Sequence, residues 1–481
     1  MLYHSTRNIT LTADSAEAVL QGLAPDGGLY MPQALPAFDW KKCLDLSAQE
    51  MSGMILSALL PDIPHMETLV HNAYTGKFET EELTPTVPVG DFHVLELFRG
   101  PTSAFKDVAL CMLPQLLTAA KAEKGRNQDI LILTATSGDT GKAALSGFQD
   151  VPGVKICVFY PHGGVSQVQR AQMVTQEGSN VTVCAVRGNF DDAQTGVKKI
   201  FAACQGKELP FALSSANSIN IGRLAPQIMY YFKAYKDLLT AGKIQLGDEV
   251  NFSVPTGNFG DILAGYLAKK LGLPVGKLIC ASNANKVLAD FIHCGTYDRR
   301  RPLHKTDSPS MDILVSSNLE RLLYLLSGDC ELVASLMQQL NEKGFYTVPD
   351  SLKAAIDAEF WADYAGDGEA FQTIRKVWNS YNYLCDTHTA VGWAVAEYYV
   401  NQTGDRRPMV VLSTASPYKF PKAVLEAIGG DLSGDEFALM ERLEAMTHVP
   451  APRNLATLKG KPERHTGVID KEDMLEFVLG L

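Results

Sequence analysis

One lysine, Lys106, stands where its residue type and setting suit imine chemistry. It lies in Leu97-Phe98-Arg99-Gly100-Pro101-Thr102-Ser103-Ala104-Phe105-Lys106-Asp107, after a Gly-Pro turn and two small polar residues. The apolar helical run Val108 to Leu117 follows directly. Burial at such a loop-to-helix junction disfavours the ammonium and favours the free amine, which is the nucleophile of a Schiff base. A lysine that opens a helix is more often a solvated surface residue. The chemistry therefore depends on what else the chain supplies.

Three polar loops supply candidates. Thr136-Ser137-Gly138-Asp139-Thr140-Gly141 has small residues that let backbone N–H groups approach an anion, with a helix N-terminus behind them. Gly141-Lys142 resembles the end of a nucleotide-binding P-loop. Thr136 replaces that motif's first glycine, however, and Ala143 its magnesium-binding hydroxyl. Pro255-Thr256-Gly257-Asn258-Phe259-Gly260-Asp261 has two glycines three apart, which leave amides bare for a phosphate; the alternative is a tight turn with Asp261 as helix cap. It is not Gly-x-Gly-x-x-Gly, so no dinucleotide site is indicated. Ser413-Thr414-Ala415-Ser416-Pro417-Tyr418-Lys419-Phe420 places hydroxyls where one suits either a ring nitrogen or a helix cap. A fourth segment, Ser215 to Arg223, brings Ser218, Asn220 and Arg223 together as a second anion site, since a guanidinium fork matches phosphate geometry.

These loops need elements to carry them. Ile130–Ala135, Val154–Tyr160 and Val181–Val186 read as short buried strands. They alternate with helices at Thr140–Phe148, near Ser166–Gln176 and through Cys204. The theme resumes with strands at Val250–Val254 and Lys277–Ala281 around a helix at Asp261–Leu271, and a late strand follows at Met409–Ser413. Such alternation predicts parallel sheets with covered faces, hence two α/β lobes with ligands beyond the carboxyl ends of the strands. Ile219–Leu239 reads as one long helix, 310–400 as mostly helical, and the Asp/Gly-rich patch near Asp363–Glu369 as a loop. Ala48–Leu60 is a helix of an N-terminal covering lobe.

The 481 residues exceed one ordinary core. A formal charge of −11, with no basic run beyond Arg299-Arg300-Arg301, argues against a general nucleic-acid partner. Nine scattered cysteines without Cys-x-x-Cys suggest reduced thiols, with neither a zinc cluster nor a disulfide framework. With no apolar leader or membrane-length run, the expectation is a cytoplasmic protein without a membrane partner.

With these parts in view, the chain resembles the threonine synthases of the fold type II pyridoxal-phosphate family. The likeness runs from Tyr3-His4-Ser5-Thr6-Arg7 and Gly22–Pro32, through Phe105-Lys106-Asp107 and Ser137–Gly141, to Gly257–Asp261 and Thr414–Phe420. It covers nearly the whole length and favours the longer, non-plant branch. The resemblance implies two open parallel-sheet lobes of the tryptophan synthase β-like kind. A covering lobe would span 1–90, and a first α/β lobe with the Schiff-base lysine 91–245. A second α/β lobe with the phosphate loop would span 246–481, with a helical insertion at about 310–400.

The implied reaction turns O-phospho-L-homoserine and water into L-threonine and phosphate on pyridoxal 5'-phosphate, in a monomer or homodimer. Lys106 would be Schiff-base lysine and proton shuttle. Gly257, Asn258, Phe259, Gly260 and Asp261 would hold the cofactor phosphate, and Thr414 would meet the pyridine nitrogen. Asp139 would lie near the ring hydroxyl, where many relatives have Asn. Ser137 and Thr140 would grip the substrate carboxylate, and Ser218, Asn220 and Arg223 its phosphate. Thr387 departs from the family's usual Asp-Pro-His-Thr-Ala, and Ser416 stands where His is common. A phospho-lyase of the same fold, or a catalytically silent metabolite-binding relative, remains an alternative.

Overall fold

The computed structural model describes every residue except Ser137 and Gln205, and the side chain of Asp191. Two sheets organise it. The first runs Val468–Asp470, Val181–Arg187, Val154–Pro161, Asp129–Ala135, Phe211–Ser214, with every pair parallel. The second runs Phe360–Tyr364, Val275–Ser282, Val250–Pro255, Met409–Ser413, Phe92–Glu96, Thr86–Val89, parallel except for its last pair. The central strands are β-branched and buried on both faces, as helix-covered parallel sheets require.

Sheet membership crosses the divisions at residues 90 and 245 in two places. Phe92–Glu96 pairs with Met409–Ser413 of the second lobe, and Val468–Asp470 returns to the first. Residues 1–90 do more than cover. Leu2–Ser5, Asn8–Asp14 and Tyr30–Pro32 form a small antiparallel sheet. Tyr74, which ends the helix Met66–Tyr74, donates to Val108 O at 2.9 Å, tying this lobe to the helix Lys106–Glu123.

Two expectations need correction. The segment read as one helix from Ile219 to Leu239 is broken into Ile221–Leu224, a 3-10 turn Ala225–Gln227 and Ile228–Thr240. Pro226 causes the break, because it lacks the N–H that a continuous helix needs there. The patch read as a loop from Asp363 starts inside the edge strand Phe360–Tyr364, which pairs with Val275–Ser282, and a helix begins already at Asp367. At a sheet edge Asp363 and Tyr364 reach solvent, so their polarity does not oppose a strand. The helices of 310–400 otherwise fall as expected, at Leu319–Ser327, Cys330–Lys343, Asp350–Glu359, Asp367–Tyr381 and Thr387–Thr403.

Candidate active site

Lys106 is presented by a loop that both lobes hold. Ser103 takes a left-handed φ of 58°, and its N–H donates to Gly100 O at 3.1 Å. Phe105 N–H donates to Thr414 O at 2.9 Å, and Ser416 N–H donates to Ser103 O at 3.1 Å. Asp107 turns back under the loop and accepts from Thr102 N–H at 2.8 Å and from the Thr102 hydroxyl. The helix Lys106–Glu123 thus begins with its first side chain at the second lobe's strand end. Thr414 is itself buried there.

The amine of Lys106 is buried yet loosely partnered. Its Nζ lies 4.5 Å from the Phe105 ring centre, donates to Ser310 Oγ at 3.4 Å, and is 4.0 Å from Asp139 Oδ2. Burial, with repulsion from Lys419 and Arg223, lowers its pKa to about 8, although Asp139 pulls the other way. About one amine in ten is then free at pH 7, and half at pH 8.

Asp139 opens the helix Asp139–Phe148 and is the anionic hub of the site. Its Oδ1 lies 2.6 Å from Lys419 Nζ and accepts from Gln169 Nε2 at 3.1 Å, while Oδ2 accepts from Ser310 Oγ at 3.4 Å. Burial opposes its ionisation. Lys419 and Lys106 outweigh that, and hold the carboxyl well below the usual carboxylate range. Behind it Thr136 Oγ1 accepts from the N–H groups of Gly138 and Gly141, at 3.0 and 2.9 Å. Gly138 sits at φ 147°, where a β-carbon would also strike Gln169. Thr140 follows Asp139 in the first turn, half-buried. Ser137 lies outside the described residues.

The segment Gly257–Asp261 has the form of a phosphate cradle. Phe259 is left-handed at φ 62°, and the helix Gly260–Lys270 begins without a side-chain cap. Its first N–H groups therefore point free at the loop. Asp261 is not the cap that one reading of the sequence allowed. Its Oδ1 accepts from Tyr230 Oη at 2.5 Å and Tyr231 Oη at 3.3 Å, and its Oδ2 has no partner. Burial raises its pKa to about 7, against the two phenols and Lys106. The carbonyls of Gly257 and Asn258 are fixed by Ser316 Oγ at 2.8 Å and Asn318 Nδ2 at 3.1 Å. A β-carbon on Gly257 would lie 2.6 Å from Ser310 O.

Beside this cradle Arg223 is buried; one Nη donates to Ala216 O, and its Nε has no partner. Burial lowers its pKa to about 10. Ser218 is nearby in the chain, its Oγ 3.4 Å from Ser317 Oγ. Asn220 differs from expectation. Its amide donates to Val19 O at 2.8 Å and accepts from Gly222 N–H at 2.8 Å, so it caps the helical turn carrying Arg223 and ties it to the N-terminal lobe.

Sequence reasoning gave no role to three side chains at this centre. Lys419 closes the 3-10 turn Pro417–Lys419. Ser310 lies between Lys106 and Asp139, and its N–H donates to His388 Nε2 at 3.1 Å. His388 Nδ1 in turn meets Asp386 Oδ2 at 2.7 Å, which fixes the Nδ1–H tautomer. The spacing Asp386-x-His388 at a helix start, and a lysine inside a post-strand loop, were the available signals.

The arrangement is an amine for an imine, a bare helix start for a phosphate, a carboxylate hub, and a buried guanidinium lacking an anion. Comparison with known proteins agrees. Residues 78–415 match the model described as pyridoxal-phosphate dependent enzyme, residues 2–74 that of the threonine synthase N terminus, and residues 389–478 that of the threonine synthase C-terminal region. Threonine synthase from Pseudomonas aeruginosa is 40% identical over 464 residues, covering 94% of this chain and 96% of the relative. Human threonine synthase-like 1 is 38% identical over 434 residues, 86% of this chain; the match spans only 58% of that longer protein. A pyridoxal-phosphate-bound threonine synthase from Brucella melitensis superposes with TM-score 0.88 at 38% identity, covering 100% of this chain and 99% of the other. The chain belongs to the threonine synthase family of fold type II pyridoxal-phosphate enzymes. Its buried Lys106 amine and uncapped helix start fit that cofactor, and the unpartnered Arg223 Nε is a donor free for an anion.

Proposed function

We propose that the chain is a cytoplasmic threonine synthase, converting O-phospho-L-homoserine and water to L-threonine and phosphate. Arg223 carries the choice of substrate. A buried guanidinium with an idle Nε is costly until an anion reaches it, and a substrate phosphate is matched to its planar fork. A dehydratase acting on an unphosphorylated amino acid has no use for that group. Among the described residues no helix is long and apolar enough to cross a membrane.

The residues divide the work. Lys106 holds the cofactor, and the backbone of Gly257, Asn258, Phe259 and Gly260 receives its phosphate at the uncapped helix. Asp261 supports that loop through Tyr230 and Tyr231. Thr414 serves the ring nitrogen, and Asp139 the ring-hydroxyl side. Bound here, pyridoxal phosphate supplies the electron sink that makes protons at the substrate's α- and then β-carbon removable. Lys106 Nζ, with its lowered proton affinity, takes those protons and later returns them. Thr140 and Ser137 orient the substrate carboxylate, while Arg223 and Ser218 bind its phosphate and then the leaving group. Asn220 positions Arg223.

Product identification tests this reading. The holoprotein is incubated with O-phospho-L-homoserine and the products are separated. Threonine and phosphate in equal amounts are expected. Phosphate with 2-oxobutyrate and ammonia would show a phospho-lyase, and no phosphate release would remove the substrate assignment.

A further inference from the structure

Two buried lysines face one carboxylate, unequally. Lys419 Nζ lies 2.6 Å from Asp139 Oδ1, and its side chain is 0% exposed; Lys106 Nζ is 4.0 Å from Asp139 Oδ2. Lys419 is also rigidly placed. Its Nζ donates to Thr102 O at 3.2 Å, and Ser416 caps its turn through Tyr418 N–H at 3.3 Å. Coulomb attraction falls with distance, and the direct contact adds a charge-assisted hydrogen bond that the longer one lacks.

We infer that Lys419 is a positioning residue for proton transfer: by neutralising Asp139 it leaves Lys106 as the lysine that gives up its proton. The inference rests on the reading of Lys106 as the cofactor lysine. The charges facing Lys106 pull both ways. Asp139 favours its proton but is shared with the nearer Lys419, while Lys419 and Arg223 both repel one. Asp261 attracts one only once ionised, and burial delays that to about pH 7. His388 reaches Lys106 only through Ser310, whose N–H it accepts. Without Lys419 the same carboxylate would face Lys106 alone and hold the proton there.

The test reads the proton affinity of Lys106 directly. Full-length protein freed of cofactor is labelled with trace acetic anhydride between about pH 6 and 11, and the Lys106 peptide is quantified by mass spectrometry. Wild type should titrate near 8. In Lys419→Met the midpoint should rise, with labelling near neutral pH falling ~5- to 10-fold, as a rise approaching one pH unit requires. Lys419→Arg should restore the wild-type curve, and Asp139→Asn should shift it down. A purely structural Lys419 would alter the melting temperature without moving this midpoint, and an unchanged or lower midpoint in Lys419→Met overturns the inference. If Lys419→Met does not fold, Lys419→Gln, which keeps a donor for Asp139 but carries no charge, is titrated instead: a raised midpoint supports the inference, and an unchanged or lower one overturns it. Because no product is measured, failure here is distinct from failure of the substrate assignment.

Discussion

At the scale of single residues, the site works by leaving some groups unsatisfied. Arg223 has no carboxylate partner among the described residues, and only its Nη finds a carbonyl. Arg223→Ala should raise KM for the phosphorylated substrate by ~10- to 100-fold, the loss of one or two charge-assisted hydrogen bonds. Steady-state kinetics read this, and an unchanged KM would remove Arg223 from the site. Asp261 is unsatisfied in the other sense, a buried carboxyl whose pKa rises to about 7 from an ordinary 3.8. Between those values the folded chain binds one more proton than the unfolded chain, so the stability Asp261 contributes is full below pH 3.8 and is lost as pH rises through 7. In the cofactor-free protein, Asp261→Asn should therefore gain in melting temperature relative to wild type on going from about pH 5 to pH 8. A difference independent of pH would contradict the burial argument.

At the scale of elements, close helix packing sets where Lys106 and Asp139 meet. The helix Asp139–Phe148 crosses Lys106–Glu123 at Gly147, where an added β-carbon would collide with Leu110 O. Backbone cannot step aside as a side chain does. Gly147→Ala should cost ~1–3 kcal/mol, the range for overpacking a tight contact, measured by denaturant unfolding. A change within experimental error would mean that the two helices part freely there. The same elements show what the sequence made legible. Met409–Ser413 is observed with the expected ends, because an unbroken apolar run between polar turns has one reading. Phe360–Tyr364 escaped because an edge strand may carry Asp and solvent-facing Tyr without penalty, and the break near Pro226 escaped because apolar periodicity continues across it. Among site parts, Lys106, Asp139 and the Gly257–Asp261 loop were marked by local composition. Lys419, Ser310 and His388 were not. Their importance is a matter of distances between segments up to 317 residues apart, as for Lys419 and Thr102.

At the scale of the molecule, the two sheets are interlaced, not set side by side. Phe92–Glu96 falls within the range 91–245 of the first lobe but lies in the second lobe's sheet, so the loop to Lys106 starts on one lobe and ends on a helix of the other. The N-terminal lobe reaches the same centre from outside. Arg7 and Thr6 hold Glu320 at 2.8 and 2.6 Å, and Arg321 donates to Ile219 O at 2.6 Å, fixing the segment before Arg223. This non-local construction explains why the likeness to the family extends over nearly the whole chain. The phosphate groove, the lysine and the carboxylate hub are each completed by distant segments.

The central claim is that Lys106, and not the buried Lys419 or the half-buried Lys142, carries the cofactor. Borohydride reduction of the pyridoxal-phosphate-loaded protein, followed by peptide mapping, tests it most directly. The phosphopyridoxyl mass should fall on the peptide containing Lys106 and should vanish in Lys106→Ala. The same mass on a peptide containing Lys419 or Lys142 would contradict the account.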